Sequence, residues 1–449
     1  AELEASSVLP PGRKFFPTIT YPPQTMYPRA EPETIFARDE EIQGIRHAAY
    51  VHIPFCAWAC KYCHWVKTIN PAQEEVDGYL DLVIQEMDLA LKRLGKGRVQ
   101  ISSVLFGGGT PTYLTPAQLE RLLDAFDARF DLSTCRQFSF EAEPSSILGE
   151  EGLTKLEILK AHGVDRISLG VQSFDDDVLL RMGRHHSAAQ ALRAIEQIRR
   201  AGMGSISIDL IYGYPGLTLE SWVEALRTAV DSGADAWHLY RLRILRHGDR
   251  QGAILKEFDN QPGAFPEVQT VRLMKMLGKI ISTGHGFDEH FTRIFCRGEQ
   301  HVTQFMWDYC FNLTNVIGVG PSAWSNYNRT FTLNVGSRKE HQAMVGAGRL
   351  PVDRGLCRDL DTEARRTLLL PLKNVRVLKE AFRRRTGLDP SSTFEPELAR
   401  LKAMDLLGED DTSIFLTRRG RFFADETIIQ LYQRQYLPFD EVAHDLMVP

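Results

Sequence analysis

Three cysteines stand within eight positions of the stretch YVHIPFCAWACKYCHWVK, residues 50–67. They are Cys56, Cys60 and Cys63, in the spacing C-x3-C-x2-C. The chain has seven cysteines, and an odd number with three in one loop is atypical of a secreted protein whose cysteines pair in disulfides. In a reducing compartment, clustered cysteines are typical of metal ligands. The stretch therefore predicts a metal site with three thiolate ligands.

The three thiolates leave two kinds of metal centre open. A structural zinc site takes four ligands, and either His52 or His64 could supply the fourth. A [4Fe–4S] cube would be held by one cysteine at each of three irons, which leaves the fourth iron free for a substrate or cofactor. Tyr62, next to the last cysteine, could shield one side of such a cube.

Two further motifs place unusual residues at the ends of predicted strands. FGGGTPT, residues 106–112, follows a strand, and its glycines let the backbone approach a ligand closely. A tight turn is the structural alternative, and no G-K-[ST] follows that would indicate phosphate binding. Glu141 and Glu143 stand two apart on a strand and therefore face the same side. Carboxylates buried there need either a cationic ligand or a salt bridge to an arginine.

Strand patterns alternate with helical patterns from Ala48 onwards, which predicts roughly six strand–helix repeats and a parallel sheet. Six units fall short of the eight in a complete barrel, so we expect an α/β fold with a partial (β/α)6 barrel. Prolines crowd residues 1–45 and exclude a long helix there, which predicts an extended arm.

The end of the chain differs from the repeats before it. Helical patterns and then a strand pair indicate a helical, winged-helix-like carboxy-terminal domain. The helical patterns run through residues 362–373, 375–387 and 394–407. The predicted domains are the arm at 1–45, the barrel at 46–335 and the carboxy-terminal domain at 336–449.

Composition argues against two kinds of partner. The net charge of −5 does not suit a nucleic-acid binder that relies on positive charge. No apolar run is long enough to span a bilayer, and no signal-peptide pattern begins at Ala1. We therefore expect a cytoplasmic protein with neither a nucleic-acid nor a membrane partner.

The cysteine motif, with an aromatic residue before its last cysteine, resembles that of the radical S-adenosylmethionine (SAM) superfamily. In finer detail the chain resembles the family of the oxygen-independent coproporphyrinogen III oxidases, through YVHIPFC, FGGGTPTYL, FEAEP, LGVQSF, GRHH and IDLIYGYPG. The resemblance implies a [4Fe–4S] cluster on Cys56, Cys60 and Cys63, SAM on its open iron, and an electron donor such as flavodoxin or ferredoxin. It also implies a radical SAM barrel of six units. Cofactor-binding roles follow for Tyr50, Gly108, Gly109, Thr110, Glu141, Gln172, Arg184 and Asp209.

Two departures from the family pattern favour one branch of it. Trp65 stands where the oxidases carry a further cysteine, and residues 301–324 lack the His-Asn pair of the related heme chaperones. We therefore expect a class C radical SAM methyltransferase, which uses two SAM molecules to methylate an sp2 carbon of an aromatic small-molecule or peptide acceptor. The alternatives are a coproporphyrinogen oxidase-like or heme-processing enzyme, and a heme chaperone of the same fold.

Residues late in the barrel are candidates for the substrate site. Arg243 shares a face with Arg241 and could bind an anionic group of the substrate or cofactor. Glu289 or His290, in FDEHFTRIF, could act as the general base that removes a proton after radical addition, with a surface loop as the alternative. Aromatic residues that could line a flat acceptor's pocket, or else belong to the core, are Trp307, Tyr309, Phe311, Trp324 and Tyr327.

Overall fold

The computed structural model describes residues 20–35, 46–95, 97–243 and 252–437, together with Leu3, Ser6, Val8 and Leu9. Six adjacent parallel strands form the centre of the main sheet. They are mostly buried along their length, as expected for a parallel sheet covered on both faces. The strands are β1 (His47–Ile53), β2 (Val99–Gly108), β3 (Phe138–Ala142), β4 (Arg166–Gln172), β5 (Ser205–Tyr212) and β6 (Ala236–Arg241).

Helices follow these strands and pack their apolar faces on the outer side of the sheet. Three of them begin at a capping box, in which the side chain of Thr115, Ser187 or Thr218 accepts a hydrogen bond from the backbone three residues on. In the described part of the chain, none of the helices has the length and apolarity to cross a bilayer. The helices are α1 (Gln73–Arg93), α2 (Pro116–Arg129), α3 (Gly149–Ala161), α4 (Asp176–Met182), α5 (Ala188–Arg200), α6 (Leu219–Asp231), α7 (Gly252–Asn260) and α8 (Val268–Gly284).

The described strands form an open sheet, because further strands extend it on both sides. A hairpin adds to β6, and on the other side of β1 one parallel strand is followed by three antiparallel ones. This arrangement confirms the predicted partial barrel. The sheet runs on to Cys357, past residue 335, where the sequence places the end of the barrel. The added strands are β7 (Asp288–His290), β8 (Ile294–Cys296), β9 (Asn315–Val319), β10 (Trp324–Tyr327), β11 (Thr330–Asn334) and β12 (Val352–Cys357).

Helices and a small antiparallel sheet form the carboxy-terminal domain, as predicted. Residues 375–387, expected to be one helix, instead begin with β13 (Arg376–Leu378), which pairs with β15 (Ser413–Leu416). The reason is burial, since Val377 is 2% exposed and packs in the core of this domain. The predicted strand pair is also wrong in detail, because the partners of β15 precede it in the chain. The other elements are α9 (Arg338–Gly346), α10 (Leu360–Leu372), α11 (Lys379–Thr386), α12 (Pro390–Thr393), α13 (Glu395–Ala403), β14 (Leu407–Glu409), α14 (Arg418–Phe422) and α15 (Ala424–Ile429).

Short elements connect the larger ones. Two two-residue strands, Phe55–Cys56 and Thr68–Ile69, pair in parallel and hold together the two ends of the cysteine loop. The remaining short elements are Gln24–Met26, Pro32–Ile35, Pro111–Tyr113, Phe130–Asp131, Pro144–Ile147, Pro262–Ala264, Glu299–His301, Gln304–Met306, Trp307–Phe311 and Arg434–Tyr436.

The proline-rich segment 1–45 is described only in part. Tyr21 packs edge-on against Tyr432, with ring centroids 4.7 Å apart, and Tyr27 stacks on Phe331 at 4.5 Å. The described part of the segment therefore lies against both the extended sheet and the carboxy-terminal domain. Most of the predicted arm lies outside the described residues.

A buried carboxylate fastens α1 to the sheet near the end of β1. Glu86 is 1% exposed and accepts hydrogen bonds from the Gly320 backbone N–H, at 2.9 Å, and from Asn334 Nδ2, at 2.7 Å. The same carboxylate lies 2.7 Å from His341 Nε2. From the same helix, the Tyr79 hydroxyl donates to a carbonyl of β1. These bonds fix the strand end from which the cysteine loop leaves.

We expect the Glu86→Ala variant to lose about 3–5 kcal/mol of unfolding free energy, because it leaves buried donors unpaired. Urea unfolding followed by circular dichroism measures the loss. The matched control is Glu75→Ala on the same helix, whose ion pair with Arg338 is partly exposed and worth about 1 kcal/mol or less. Equal losses in the two variants would contradict the anchoring role of Glu86.

Candidate active site

The three cysteines lie on the loop that follows β1, at the edge of the barrel where the parallel strands end. Their thiols are free and half-buried. Burial raises the pKa of Cys56 to about 11 and also raises the pKa of Cys63. A thiolate at either position therefore needs its charge compensated, which a bound metal does.

The surroundings of the sulfurs fit an iron–sulfur cluster. Thr110 Oγ1 lies 3.6 Å from Cys56 Sγ, and Arg184 Nη1 lies 3.3 Å from Cys60 Sγ. At Gly109 a Cβ atom would lie 2.7 Å from the Phe55 carbonyl oxygen, closer than real contacts allow without a shift, and 3.0 Å from Cys56 Sγ. Hydrogen-bond donors to the sulfurs and a backbone cradle without side chains are the surroundings that a [4Fe–4S] cluster requires.

The two histidines that could complete a zinc site make other contacts. The ring nitrogens of His52 lie 2.9 Å from the Tyr50 hydroxyl and 3.3 Å from the Val66 carbonyl oxygen. The ring of His64 stacks on Trp65, with centroids 5.1 Å apart. Within the described residues, no three His, Cys, Asp or Glu side chains converge as ligands of one ion. The loop suits a cluster, which takes one thiolate per iron, better than a single zinc ion.

Glu141 lies on β3 beside the glycines that end β2. Its Oε2 accepts a hydrogen bond of 3.0 Å from the Gly108 backbone N–H, and a Cβ at Gly107 would lie 2.8 Å from its carboxyl carbon. Burial raises the pKa of Glu141 to about 7, and nearby Asp209 adds to the rise. Burial also raises the pKa of Asp209 to about 7. A cationic ligand would relieve the cost at both carboxylates, as the sequence predicts for SAM.

Glu143 has a role that the sequence analysis did not assign. Its carboxylate lies 2.9 Å from His186 Nδ1 and 3.3 Å from Arg184 Nη2, and it accepts backbone hydrogen bonds from Ser145 and Ser146. Burial acts to raise its pKa, but His186 and then Arg184 hold that pKa below its ordinary value. The expected salt bridge to an arginine is therefore made by Glu143 and not by Glu141. The spacing of Arg184 and His186 in GRHH was the signal that could have indicated it.

The remaining predicted cofactor-binding residues lie on the same edge or face the interior. Tyr50 is buried, and burial followed by Glu141 raises its pKa. Gln172 ends β4 with a φ of +69°, and Tyr62 packs edge-on against Tyr214 with centroids 6.5 Å apart. Arg243 follows β6, and burial lowers its pKa to about 10. The ligand contacts of these residues stay predictions.

Glu289 and His290 lie on β7, at one edge of the sheet. Lys279 of α8 forms an ion pair with Glu289, with Nζ 2.5 Å from Oε1. The geometry therefore does not favour Glu289 as a general base. Burial lowers the pKa of His290, and its proposed role stays a prediction.

The aromatic residues considered for an acceptor pocket pack as core residues. Tyr309 and Tyr327 are 3% and 4% exposed. Trp324 lies 4.3 Å from Tyr309, and Trp307 lies 4.9 Å from Phe311, between ring centroids. This packing favours the core interpretation.

Comparison with known proteins shows which families the chain is similar to. A family model described as "Radical SAM superfamily" matches residues 50–229. Over these residues the chain is similar to the radical SAM superfamily. A second family model, described as "HemN C-terminal domain", matches residues 359–423. The solved structure of coproporphyrinogen III oxidase (HemN) from Escherichia coli is similar with a TM-score of 0.76 and 25% identity, over 88% of this chain and 92% of that one.

Two curated relatives match most of the chain. The heme chaperone HemW of Bacillus subtilis is 28% identical over 385 residues, which are 84% of this chain and 97% of HemW. The oxygen-independent coproporphyrinogen III oxidase of Pseudomonas aeruginosa is 26% identical over 419 residues, 89% of this chain and 88% of the oxidase. The class C methyltransferase prediction is therefore wrong. It was reached by elimination, and the absence of a cysteine at Trp65 does not identify a reaction.

We expect the Glu141→Gln variant to melt higher than the wild type at pH 8, with the difference shrinking as the pH falls toward 4.5. The pKa of Glu141 is about 7, above its ordinary 4.5, so the stability contributed by the protonated carboxyl is lost as the pH rises through 7. Thermal unfolding of SAM-free protein at several pH values measures this. The control is Glu120→Gln, exposed on α2, and a difference that stays constant with pH would contradict the assignment.

We expect the Gly109→Ala variant to bind less cluster, because its Cβ would lie 3.0 Å from Cys56 Sγ. Iron and sulfide per chain after anaerobic reconstitution measure cluster content. Gly78→Ala on α1 is the matched control, since a Cβ there meets nothing within 4 Å. Equal cluster content in both variants would show that the cradle at Gly109 does not matter.

Proposed function

We propose that the protein is a radical SAM enzyme that acts on a tetrapyrrole of the coproporphyrinogen–heme class. The observation that carries this proposal is the position of the cysteine loop, at the strand ends where Thr110 and Glu141 also lie, within a fold like that of HemN. The names of the relatives support the tetrapyrrole, because both an oxidase of coproporphyrinogen and a heme chaperone match nearly full length.

Within this proposal, Cys56, Cys60 and Cys63 hold the cluster, and the barrel interior binds SAM. When bound, the cluster supplies the electron that cleaves SAM into methionine and a 5′-deoxyadenosyl radical. Glu141 is suited to bind the positive charge of the cofactor. Arg184 Nε is buried without a hydrogen-bond partner, so it is a donor for the cofactor's carboxylate. A second SAM and a flavodoxin or ferredoxin as electron donor complete the proposal.

The second candidate is a heme chaperone of the same fold. It is favoured by the 97% of HemW that the chain covers. A chaperone would bind heme in stoichiometric amount. The cluster and SAM would then support heme binding, and SAM would not be cleaved in a catalytic cycle. The two candidates therefore differ in whether SAM is consumed.

We expect reconstituted protein with about four irons per chain to release 5′-deoxyadenosine when given dithionite, SAM and coproporphyrinogen III. Alanine at Cys56, Cys60 or Cys63 removes a cluster ligand and should abolish the release. The matched control is Cys135→Ala, a half-buried cysteine bonded to the Gln137 carbonyl, which should keep it. Chromatography of the nucleoside and mass spectrometry of the tetrapyrrole are the measurements. Tight stoichiometric heme binding without nucleoside release would favour the chaperone.

A further inference from the structure

A buried arginine at the start of β4 has two nitrogens without a hydrogen-bond partner. Arg166 is 2% exposed, and its Nε and Nη2 are buried without a hydrogen-bond partner. Its neighbour Ile167 packs in the outer core, so Arg166 points to the interior of the barrel. Guanidinium nitrogens that are buried without a hydrogen-bond partner cost folding free energy.

Three more buried polar atoms without a hydrogen-bond partner lie on the next two strands. They are Ser207 Oγ and Asp209 Oδ1 on β5 and His238 Nε2 on β6. Asp209 and His238 are register partners, and the register partner of Arg166 is Ser205, two residues before Ser207. Because neighbouring strands lie about 4.8 Å apart, these atoms share one patch of the interior.

Two further cations extend this patch toward the carboxy-terminal domain. The Arg293 guanidinium, just before β8, lies 5.4 Å from the centroid of the Tyr240 ring. Lys373 follows α10, is 3% exposed, and has its Nζ buried without a partner. Burial lowers the pKa of Lys373 to about 8, and Arg293 adds to that fall. Arg166 and then Arg293 oppose the burial-driven rise in the pKa of Asp209, so the charge of Arg293 acts on both Lys373 and Asp209.

We call Arg166, Arg293 and Lys373 the interior cation row. Asp209 and Asp165 act on the charge of Arg166, and Asp425 acts on that of Lys373. None of these carboxylates makes a hydrogen bond to Arg166 Nε, Arg166 Nη2 or Lys373 Nζ. The pKa values of Glu141 and Asp209 are both about 7, so each holds its proton for part of the time at neutral pH. A ligand that brings several negative charges into the interior would pair with the row and recover its desolvation cost.

We propose that the interior cation row recognises the substrate through at least two of its carboxylates. The inference rests on the proposed function and deepens it, because it names the groups of the protein and of the tetrapyrrole that meet. Guanidinium and ammonium groups suit carboxylates by charge-assisted hydrogen bonds. Ser207 and His238 offer further hydrogen bonds in the same patch.

The test is equilibrium binding of coproporphyrin III and of its tetramethyl ester to full-length, cluster-loaded protein, followed by porphyrin fluorescence. The two probes share one ring and differ in charge. We expect the free acid to bind at least ten-fold more tightly than the ester. Arg293→Met and Lys373→Met should each weaken binding of the acid roughly ten- to hundred-fold and leave the ester unchanged.

Matched controls distinguish an effect of the interior cation row from an effect of the protein's net charge. Lys160→Met and Arg193→Gln remove exposed cations from outer helices and should change neither affinity. Arg293→Lys keeps the charge and should retain most of the acid preference. Equal binding of acid and ester, or variants that weaken both alike, overturns the proposal.

Thermal unfolding of the ligand-free variants distinguishes recognition from a structural role. Because Lys373 Nζ has no partner to lose, Lys373→Met should melt at or above the wild type while it loses affinity. A lower melting temperature would show that Lys373 supports the fold, and would overturn its place in the row.

The outcomes also separate this inference from the proposed function. Release of 5′-deoxyadenosine without any acid preference leaves the radical SAM proposal standing and overturns the row. An acid preference without nucleoside release leaves the row standing and overturns the enzymatic proposal.

Discussion

One buried guanidinium holds the cysteine loop to the barrel. Arg184 donates to the Gly170 carbonyl of β4 at 2.8 Å, lies 3.3 Å from the sulfur of Cys60, and is paired with Glu143. Beside it the Gly183 Cβ position lies 3.2 Å from the Ala59 carbonyl oxygen, so a side chain at Gly183 would crowd the loop. The Lys61 N–H, which donates to the Met182 carbonyl at 3.0 Å, ties the same part of the loop to the end of α4.

Several inward-facing positions of the barrel carry charged side chains where a packed core would have apolar ones. Parallel strands put their outward residues into one apolar core, which leaves alternate positions facing inward. On β3 and β5 those positions carry Glu141 and Asp209, and on β4 they carry Arg166. Buried charged groups of this kind lower the free energy of unfolding of the ligand-free protein. They also make ligand binding more favourable, so stability is lost where function requires it.

The periodic parts of the molecule could be predicted from the sequence, and the long-range contacts could not. Strand ends of a parallel sheet meet at one edge, so the neighbourhood of Thr110, Glu141 and Asp209 could be predicted, whereas the resemblance selected Thr110 and Asp209 as site residues. The bonding of Glu143 to His186 depends on how α4 turns back over the sheet. Strand β13 depends on a partner almost forty residues later in the chain. The reaction was mispredicted because absent motif residues were given more weight than the overall match.

A second apolar core joins two parts of the molecule. It contains Ala48 and Tyr50 of β1 and Cys296 of β8 together with Leu368 and Leu372 of α10. The carboxy-terminal domain is therefore the wall of the partial barrel on its open side, and to swing it away would wet a large apolar surface. A molecule that enters the barrel interior between the carboxy-terminal domain and β1 would have to separate this core, so we expect entry elsewhere to cost less free energy.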